Sequence, residues 1–479
     1  MTDENSRYAR TPIAEETIAD RRTTFEEVLR PYSLEDAVLE AQRCIQCAMP
    51  YCVQACPIDQ DCRGYIALIA QRRFDDAATL TLQDNPLATV LCKSCYHYCE
   101  EDCIMGGRGV PIAIRHLKRA ALEFGRSDQL YVPSVPQNKR VAIVGAGPAG
   151  LMAAWELCLR GYSVTVYDAE KFLGGQIATI PRYHQGDNDL ATDLARFGRL
   201  DISFVPGKRV GVDFTPEGLL KDGYLAVFVA IGAWDPRPLE IPGEELPGVF
   251  SALPFLLAVN QGPDGLFGRK GRKIVIIGGG DVGLDAARSS LRLSRNGDVT
   301  VVYRRTNEEM PAGPEEKTGG EEEGINFLFQ RAPVRIIGSD HVEGIVLQRT
   351  EPGPLDPKGR PTVIKVPGTE ETVACDTVII AVGETADVSR LSPALDFKFS
   401  SMGWPEGKRE GWMTDIDGVF ACGGKSVVYA MAAGTAAAIA IDAFLQKKTG
   451  RPLTARTDAF GRGKSPRLPD GYGGPTWHL

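Results

Sequence analysis

The chain has 479 residues, a formal charge of −8 and 43% hydrophobic residues. That length fits about two to four domains, and an acidic balance without any long basic run excludes the electrostatic footprint of a nucleic-acid binder. The polar opening MTDENSRYARTPIAEE is not a signal peptide. A cytoplasmic protein is therefore expected, in which clustered cysteines stay reduced and read as metal sites rather than disulfides.

Residues 1–135 read as mainly helical, because LEDAVLEAQR and GYIALIAQRRFDDAATLTL repeat apolar residues at three-and-four spacing. Two cysteine groups interrupt these helices. RCIQCAMPYCVQACP carries Cys44, Cys47, Cys52 and Cys56, and LCKSCYHYCEEDC carries Cys92, Cys95, Cys99 and Cys103; with Cys62, nine of the twelve cysteines precede residue 104. The second spacing would also line a helix stripe with small hydrophobes, and paired CxxC sequences suit tetrahedral zinc. CxxCxxxxCxxxCP is also the pattern in which loop thiolates wrap a [4Fe–4S] cluster and the fourth cysteine serves a neighbour. Cys62 reads as a buried thiol without a ligand role, and Cys158, Cys375 and Cys422 as packing.

Residues 132–139, VPSVPQNK, read as a linker. KRVAIVGAGPAG then runs an apolar strand into a glycine turn with Gly145, Gly147 and Gly150, and Asp168 ends the following strand eighteen residues beyond Gly150. Glycines here let backbone approach a pyrophosphate at a helix N-terminus, and the acid suits the ribose hydroxyls of an adenosine. The arrangement repeats at RKIVIIGGGDVGLDAARSSLRL with Gly278, Gly280 and Gly283, but its second strand ends in Arg304 and Arg305 instead of an acid. Arginine at that place suits a 2′-phosphate, so NADPH is expected over NADH, which stays possible. CDTVIIAVG at 375–383 echoes YLAVFVAIG, and DGVFACGG leads into an alanine-rich stretch at 427–445, read as a buried helix rather than a membrane span. The Gly- and Pro-rich residues 449–479 read as an extended tail.

GAGPAG with VTVYDAEKFLGGQI, then GGGDVGLDAAR with VVYRRTNEEMPA, resembles the NADPH-dependent glutamate synthase small-subunit family. That family includes flavin subunits of other iron–sulfur complexes and the N-terminal half of dihydropyrimidine dehydrogenase. The resemblance covers about residues 30–445. It implies an α/β chain: a helical domain with two [4Fe–4S] clusters (1–135), then two interleaved Rossmann-like, glutathione-reductase-like domains. FAD would be held by 136–250 and 376–448, and NAD(P)H by 251–375. The implied FAD residues are Gly145, Gly147, Gly150, Asp168, Gly175, Gln176 and Gly423; the implied nicotinamide residues are Gly278, Gly280, Asp281, Val282, Arg304 and Arg305. One cluster would take Cys44, Cys47, Cys52 and Cys103, and the other Cys56, Cys95 and Cys99 with a carboxamide or carboxylate from a downstream helix.

The chain departs from that pattern twice. The last FAD strand ends Ala421–Cys422–Gly423–Gly424–Lys425, where the family's run ends in aspartate. The downstream ligand position falls on Lys118 or Arg119, and neither cation ligates iron. Cys92 is the residue expected to complete the second cluster, with His116 as rival. No CxxxxC follows the first glycine turn, which argues against a dithiol reductase, and no acid–base pair stands out as catalytic. Glu384 and Thr385, after the AVG strand, read as surface residues, with an approach to the flavin as the alternative.

The function expected is an NAD(P)H:acceptor oxidoreductase, the electron-transfer subunit of a hetero-oligomer that exchanges electrons with a catalytic partner subunit or a ferredoxin-like carrier. A flavin fits between a nicotinamide, which passes a hydride, and clusters, which pass single electrons. The alternatives are a glutamate synthase small subunit itself and, in another class, a zinc-stapled nucleotide-sensing module.

Overall fold

The computed structural model describes residues 8–127, 138–262, 272–294, 297–356, 359–388 and 409–449, with a few short stretches between and beyond them. Most of the expected linker and of the C-terminal tail lies outside the described residues.

The first part is helical, as its periodicity implies. Helices Leu34–Gln42, Cys62–Ala70, Phe74–Asp84 and Ile114–Phe124 bury Ala37, Ala41, Tyr65, Ile66, Ile69, Leu80 and Leu117 in one core. Two start on side-chain caps: Ser33 Oγ accepts the Asp36 N–H at 3.1 Å, and an Asp61 carboxylate oxygen accepts the Gly64 N–H at 2.9 Å. The fully buried Glu40 pairs with Arg43 at 2.6 Å and accepts the N–H groups of Thr11 at 2.9 Å and Ala113 at 2.8 Å. Arg43 in turn donates to the Val110 carbonyl at 2.7 Å. This buried charge, satisfied on every side, ties the loop entering Cys44 to the loop leaving Cys103.

The next unit has a five-stranded parallel sheet in the order Val419–Ala421, Ala226–Val229, Arg140–Val144, Ser163–Tyr167, Ile202–Val205. Its strands are near-continuous apolar runs because helices cover the sheet. Helix Val427–Thr449 is long and apolar enough to cross a membrane by length and composition. Here it packs against helix Pro148–Leu159 so closely that a Cβ on Gly434 would lie 2.2 Å from the Ala149 carbonyl oxygen.

A second parallel sheet runs Val249–Ser251, Thr377–Ile380, Lys273–Ile277, Asp298–Tyr303, Asn326–Phe329. Strands Val249–Ser251 and Thr377–Ile380 both belong to this second sheet, so it extends past both ends of the 251–375 segment expected from sequence. The likeness of CDTVIIAVG to YLAVFVAIG is one of equivalent position: each strand lies beside the central strand of its own sheet. The chain passes between the units through a short antiparallel pair, Asp235–Pro236 with Glu384–Thr385. Sequence periodicity also missed an antiparallel sheet of Arg331–Ile337, Gly344–Leu355, Pro361–Lys365 and Glu371–Ala374 that covers the second unit.

Candidate nucleotide and iron–sulfur sites

In each parallel sheet the glycine turn follows the central strand, at the point where the chain has built to one side and then crosses to the other, and nucleotides bind in that crevice. Gly145 has φ +109°, and a Cβ there would lie 2.2 Å from the Ala230 carbonyl oxygen. Gly278 has φ +134°, and its Cβ would lie 2.1 Å from the Ala381 carbonyl oxygen. Each first glycine thus lets the turn pass over the neighbouring strand. The next glycine faces open space: a Cβ on Gly147 would meet only Gly175 Cα at 3.9 Å, and one on Gly280 nothing within 4 Å. Backbone bared to an open cradle at a helix start fits a pyrophosphate.

Around the first cradle, Asp168 accepts the N–H of Ala146 at 2.6 Å and of Glu170 at 2.7 Å. Burial raises its pKa and these donors oppose the shift. Gly175, at φ +56°, brings its backbone against Gly147, and Gln176 donates to the Ala233 carbonyl. Gly423 is half-buried in the short turn before helix Val427–Thr449, where a Cβ on Gly424 would strike the Ala430 nitrogen at 2.4 Å. Glu384 and Thr385 stand in the crossing between the units.

Around the second cradle, Asp281 accepts the Gly313 N–H at 2.8 Å and the Tyr96 hydroxyl at 2.5 Å. Val282 packs against the core of the second sheet unit. The two arginines differ. Arg305 donates to the Pro361 carbonyl at 3.0 Å and approaches Glu309 at 3.9 Å, whereas the Arg304 side chain is exposed.

The cysteines fall into two sets. Cys44, Cys47, Cys52 and Cys103 line one cavity with Tyr51 and Ile104, both of which are exposed. Burial pushes the Cys44 thiol up to about 11, and the sulfurs of Cys52, Cys103 and Cys47 add to the shift. The second set joins Cys56, Cys95 and Cys99. Burial pushes Cys95 up to about 11, Lys118 opposes the shift, and Cys99 and Cys56 add to it. His97, at φ 44°, turns the chain between Cys95 and Cys99, and its N–H donates to the Cys95 sulfur at 3.4 Å. Cys95 packs in one cluster with Tyr98, Val427 and Tyr429, at the head of helix Val427–Thr449.

Cys92 lies on helix Ala88–Ser94, which ends before Cys95, itself extended at φ −78°, ψ 141°. The Cys92 thiol donates to the Thr89 carbonyl at 3.1 Å, and burial pushes it up to about 12. The His116 ring lies tilted against Tyr32 with ring centroids 5.8 Å apart, and burial lowers its pKa to about 3. Arg119 is occupied by Glu27 at 2.7 Å and by the Leu29 carbonyl at 2.9 Å. Cys62, at the first position of helix Cys62–Ala70, is buried in the helical core, against which Cys44, Cys52, Cys99 and Cys103 pack. Its spacing from Cys56 matches no ligand pattern. Cys158, Cys375 and Cys422 are buried in the cores of the nucleotide units.

The helical part also grips the second sheet unit. Besides Tyr96 on Asp281, Arg115 donates to Glu315 at 2.9 Å and His97 Nε2 lies 3.3 Å from the same carboxylate. Against the upward push of burial, His97 and Arg115 hold Glu315 down at about 2. A half-buried cluster lies between the two sheet units. His184 Nε2 is 3.1 Å from Asp285 and 3.4 Å from Glu316, Tyr183 donates to Asp285 at 3.1 Å, and Arg288 pairs with Glu316 at 2.6 Å.

Residues 21–130 match the family model described as dihydropyrimidine dehydrogenase domain II, 4Fe–4S cluster. Residues 139–440, more than half of the chain, match pyridine nucleotide-disulphide oxidoreductase. The NADPH glutamate synthase small chain of Escherichia coli K12 is 32% identical over 453 residues, covering 89% of this chain and 95% of that protein. That of Halomonas elongata is 35% identical over 378 residues, covering 76% and 79%. The NADP(+)-dependent formate dehydrogenase subunit beta of Moorella thermoacetica is 33% identical over 434 residues; these cover 84% of this chain but only 60% of that subunit. Mycobacterium tuberculosis FprA, solved in complex with NADPH, shares the fold with a TM-score of 0.54 at 22% identity, covering 65% of this chain and 86% of FprA. With both glycine cradles and both cysteine sets in place, the chain belongs to the pyridine nucleotide-disulphide oxidoreductases, in the group that contains the glutamate synthase small chains.

Proposed function

We propose that this chain is a cytoplasmic NAD(P)H:acceptor oxidoreductase, the electron-transfer subunit of a multi-subunit enzyme, with FAD and two [4Fe–4S] clusters. When bound, FAD takes the electron pair of a nicotinamide hydride and hands it on singly to clusters that carry one electron at a time. The observation that carries the proposal is the serial order of the two sulfur sets. Cys95 packs at the head of the helix that follows the FAD-side strand Val419–Ala421, whereas the Cys44–Cys47–Cys52–Cys103 cavity opens beside the exposed Tyr51 and Ile104. An inner and an outer set in that order support a path from flavin to a partner protein docked at the outer set.

Gly145, Gly147, Gly150, Gly175 and Gln176 would shape the FAD cradle, with Asp168 on the ribose side and Gly423 at the far end. Gly278, Gly280, Asp281 and Val282 would form the nicotinamide cradle, and Arg304 would meet the 2′-phosphate of NADPH. The outer cluster would be held by Cys44, Cys47, Cys52 and Cys103, and the inner one by Cys56, Cys95 and Cys99 with one further donor. Anaerobic iron and sulfide analysis, followed by NADPH addition, tests the proposal: two such clusters require about eight iron per chain, and NADPH should bleach the flavin. Four or fewer iron with zinc bound would refute it. A narrower reading, a glutamate synthase small chain itself, is favoured by the 95% length match to the Escherichia coli protein. Purifying the native complex and identifying its large partner decides between them.

A further inference from the structure

The run EEMPAG, which follows the two arginines, closes over the second glycine turn. Met310 and Ala312 are buried, the Ala312 N–H donates to the Gly279 carbonyl at 3.1 Å, and the Gly313 N–H donates to Asp281 Oδ1 at 2.8 Å. The Tyr303 ring lies so close that a Cβ on Gly279 would come within 2.6 Å of it, whereas Gly280 beside it faces open space. Asp281 is half-buried at the first position of helix Asp281–Ser294, directly after that open glycine. A carboxylate there competes with a bound pyrophosphate for the positive end of the helix unless donors hold it in place.

The second oxygen of Asp281 is held from the helical domain. Tyr96, between Cys95 and Cys99, donates its hydroxyl to Asp281 Oδ2 at 2.5 Å. Its ring lies against Gly313, where a Cβ would meet ring carbons at 3.9 and 4.0 Å. The residues around Tyr96 brace it. Arg115 joins the Cys95 carbonyl, at 3.1 Å, to Glu315, at 2.9 Å, on helix Pro314–Glu322, which follows Gly313. His97 Nε2 lies 3.3 Å from the same carboxylate. From the same loop the Tyr98 ring meets Tyr429 edge-on, with centroids 5.4 Å apart. The loop thus touches both sheet units, and Tyr96 is where it reaches the second cradle.

Resting on the nicotinamide cradle proposed above, we infer that Tyr96 is a positioning residue for nicotinamide dinucleotide binding, contributed by the helical domain, whose hydroxyl fixes the Asp281 carboxylate beside the pyrophosphate cradle. With Oδ1 on the Gly313 N–H and Oδ2 on Tyr96, the carboxylate is held in one place and its charge is shared between two donors. Without the Tyr96 hydroxyl, Oδ2 loses its donor and the carboxylate is released to take the N–H groups at the helix start that the pyrophosphate needs. The effect falls on the part of the dinucleotide that NADPH and NADH share. Both should therefore weaken equally, in contrast to the loss of a 2′-phosphate contact. The dinucleotide site is incomplete without the helical domain.

The test uses the oxidised full chain, titrated calorimetrically with NADP+ and NAD+, which bind without passing electrons; iron and FAD content report folding. Tyr96→Phe keeps the ring and removes only the hydroxyl. It should weaken both dinucleotides by the same factor, about three- to tenfold, the range of one hydrogen bond. In an Asp281→Asn background, where no carboxylate charge needs holding, adding Tyr96→Phe should change either affinity by less than about twofold. Unchanged affinities in Tyr96→Phe, a loss confined to NADP+, or an equal loss with Asp281→Asn in place would each overturn the inference. Loss of iron or FAD in Tyr96→Phe would also overturn it, because Tyr96 would then support the cysteine loop rather than the cradle. If Asp281→Asn does not retain FAD, the two losses in Tyr96→Phe still decide. Wild-type protein that binds neither dinucleotide would instead refute the function on which the inference rests.

Discussion

Replacing Arg304 by alanine should convert a chain that prefers NADPH into one that hardly distinguishes the two nicotinamides. Arg304 stands at the end of strand Asp298–Tyr303 with its side chain exposed, while the neighbouring Arg305 is engaged by the Pro361 carbonyl at 3.0 Å. The sequence offered both arginines equally; the structure leaves Arg304 available for the phosphate. A charge-assisted contact to phosphate is worth roughly 1.5–3 kcal/mol, and solvent around Arg304 argues for the lower end. About 1.5 kcal/mol is roughly a tenfold weaker NADPH affinity. NADH, which lacks the phosphate, should change by less than about twofold, and Arg305→Ala should fall between. Titration calorimetry of both cofactors, with steady-state reduction of an artificial acceptor by each, reads the effect. Equal losses for NADPH and NADH in Arg304→Ala, or a wild-type preference for NADH, would refute the reasoning.

Gly175→Ala should lower the FAD content of the purified protein, because a methyl there would sit 2.8 Å from Gly147 Cα at φ +56°; full flavin occupancy would contradict the cradle. Gly434→Val should destabilise the FAD-side unit by about 1–3 kcal/mol through overpacking, since even its Cβ would lie 2.2 Å from the Ala149 carbonyl oxygen; denaturant melts read the change. Burial alone would lower the pKa of His184, but Glu316 and Asp285 outweigh it and raise the value to about 9. A pKa raised in the folded state means that this contribution is complete below about pH 6.5 and is lost as pH rises through about 9. The stability gap between wild type and His184→Gln should therefore narrow between those values, and a gap independent of pH would count against the ion cluster.

Both glycine turns were legible in the sequence because every part of the motif is local: strand, turn and helix follow one another within a few residues. The same holds for helix Ile114–Phe124 and for the two crowds of cysteines. The sequence alone also determined that Arg304 and Arg305 occupy the position where the first unit has Asp168, since that is a matter of register along a strand. Tertiary structure decided what depends on packing between distant segments. It assigned Thr377–Ile380 to the second parallel sheet, because similar apolar strands carry no label for the neighbour they pair with. It set the Cys92 thiol on the Thr89 carbonyl and ended the helix before Cys95, because backbone conformation between two cysteines is not fixed by their spacing. It buried Cys62 in the core of the helical part, against which Cys44, Cys52, Cys99 and Cys103 pack, because only the packing of helices distant in sequence decides which thiols share a core.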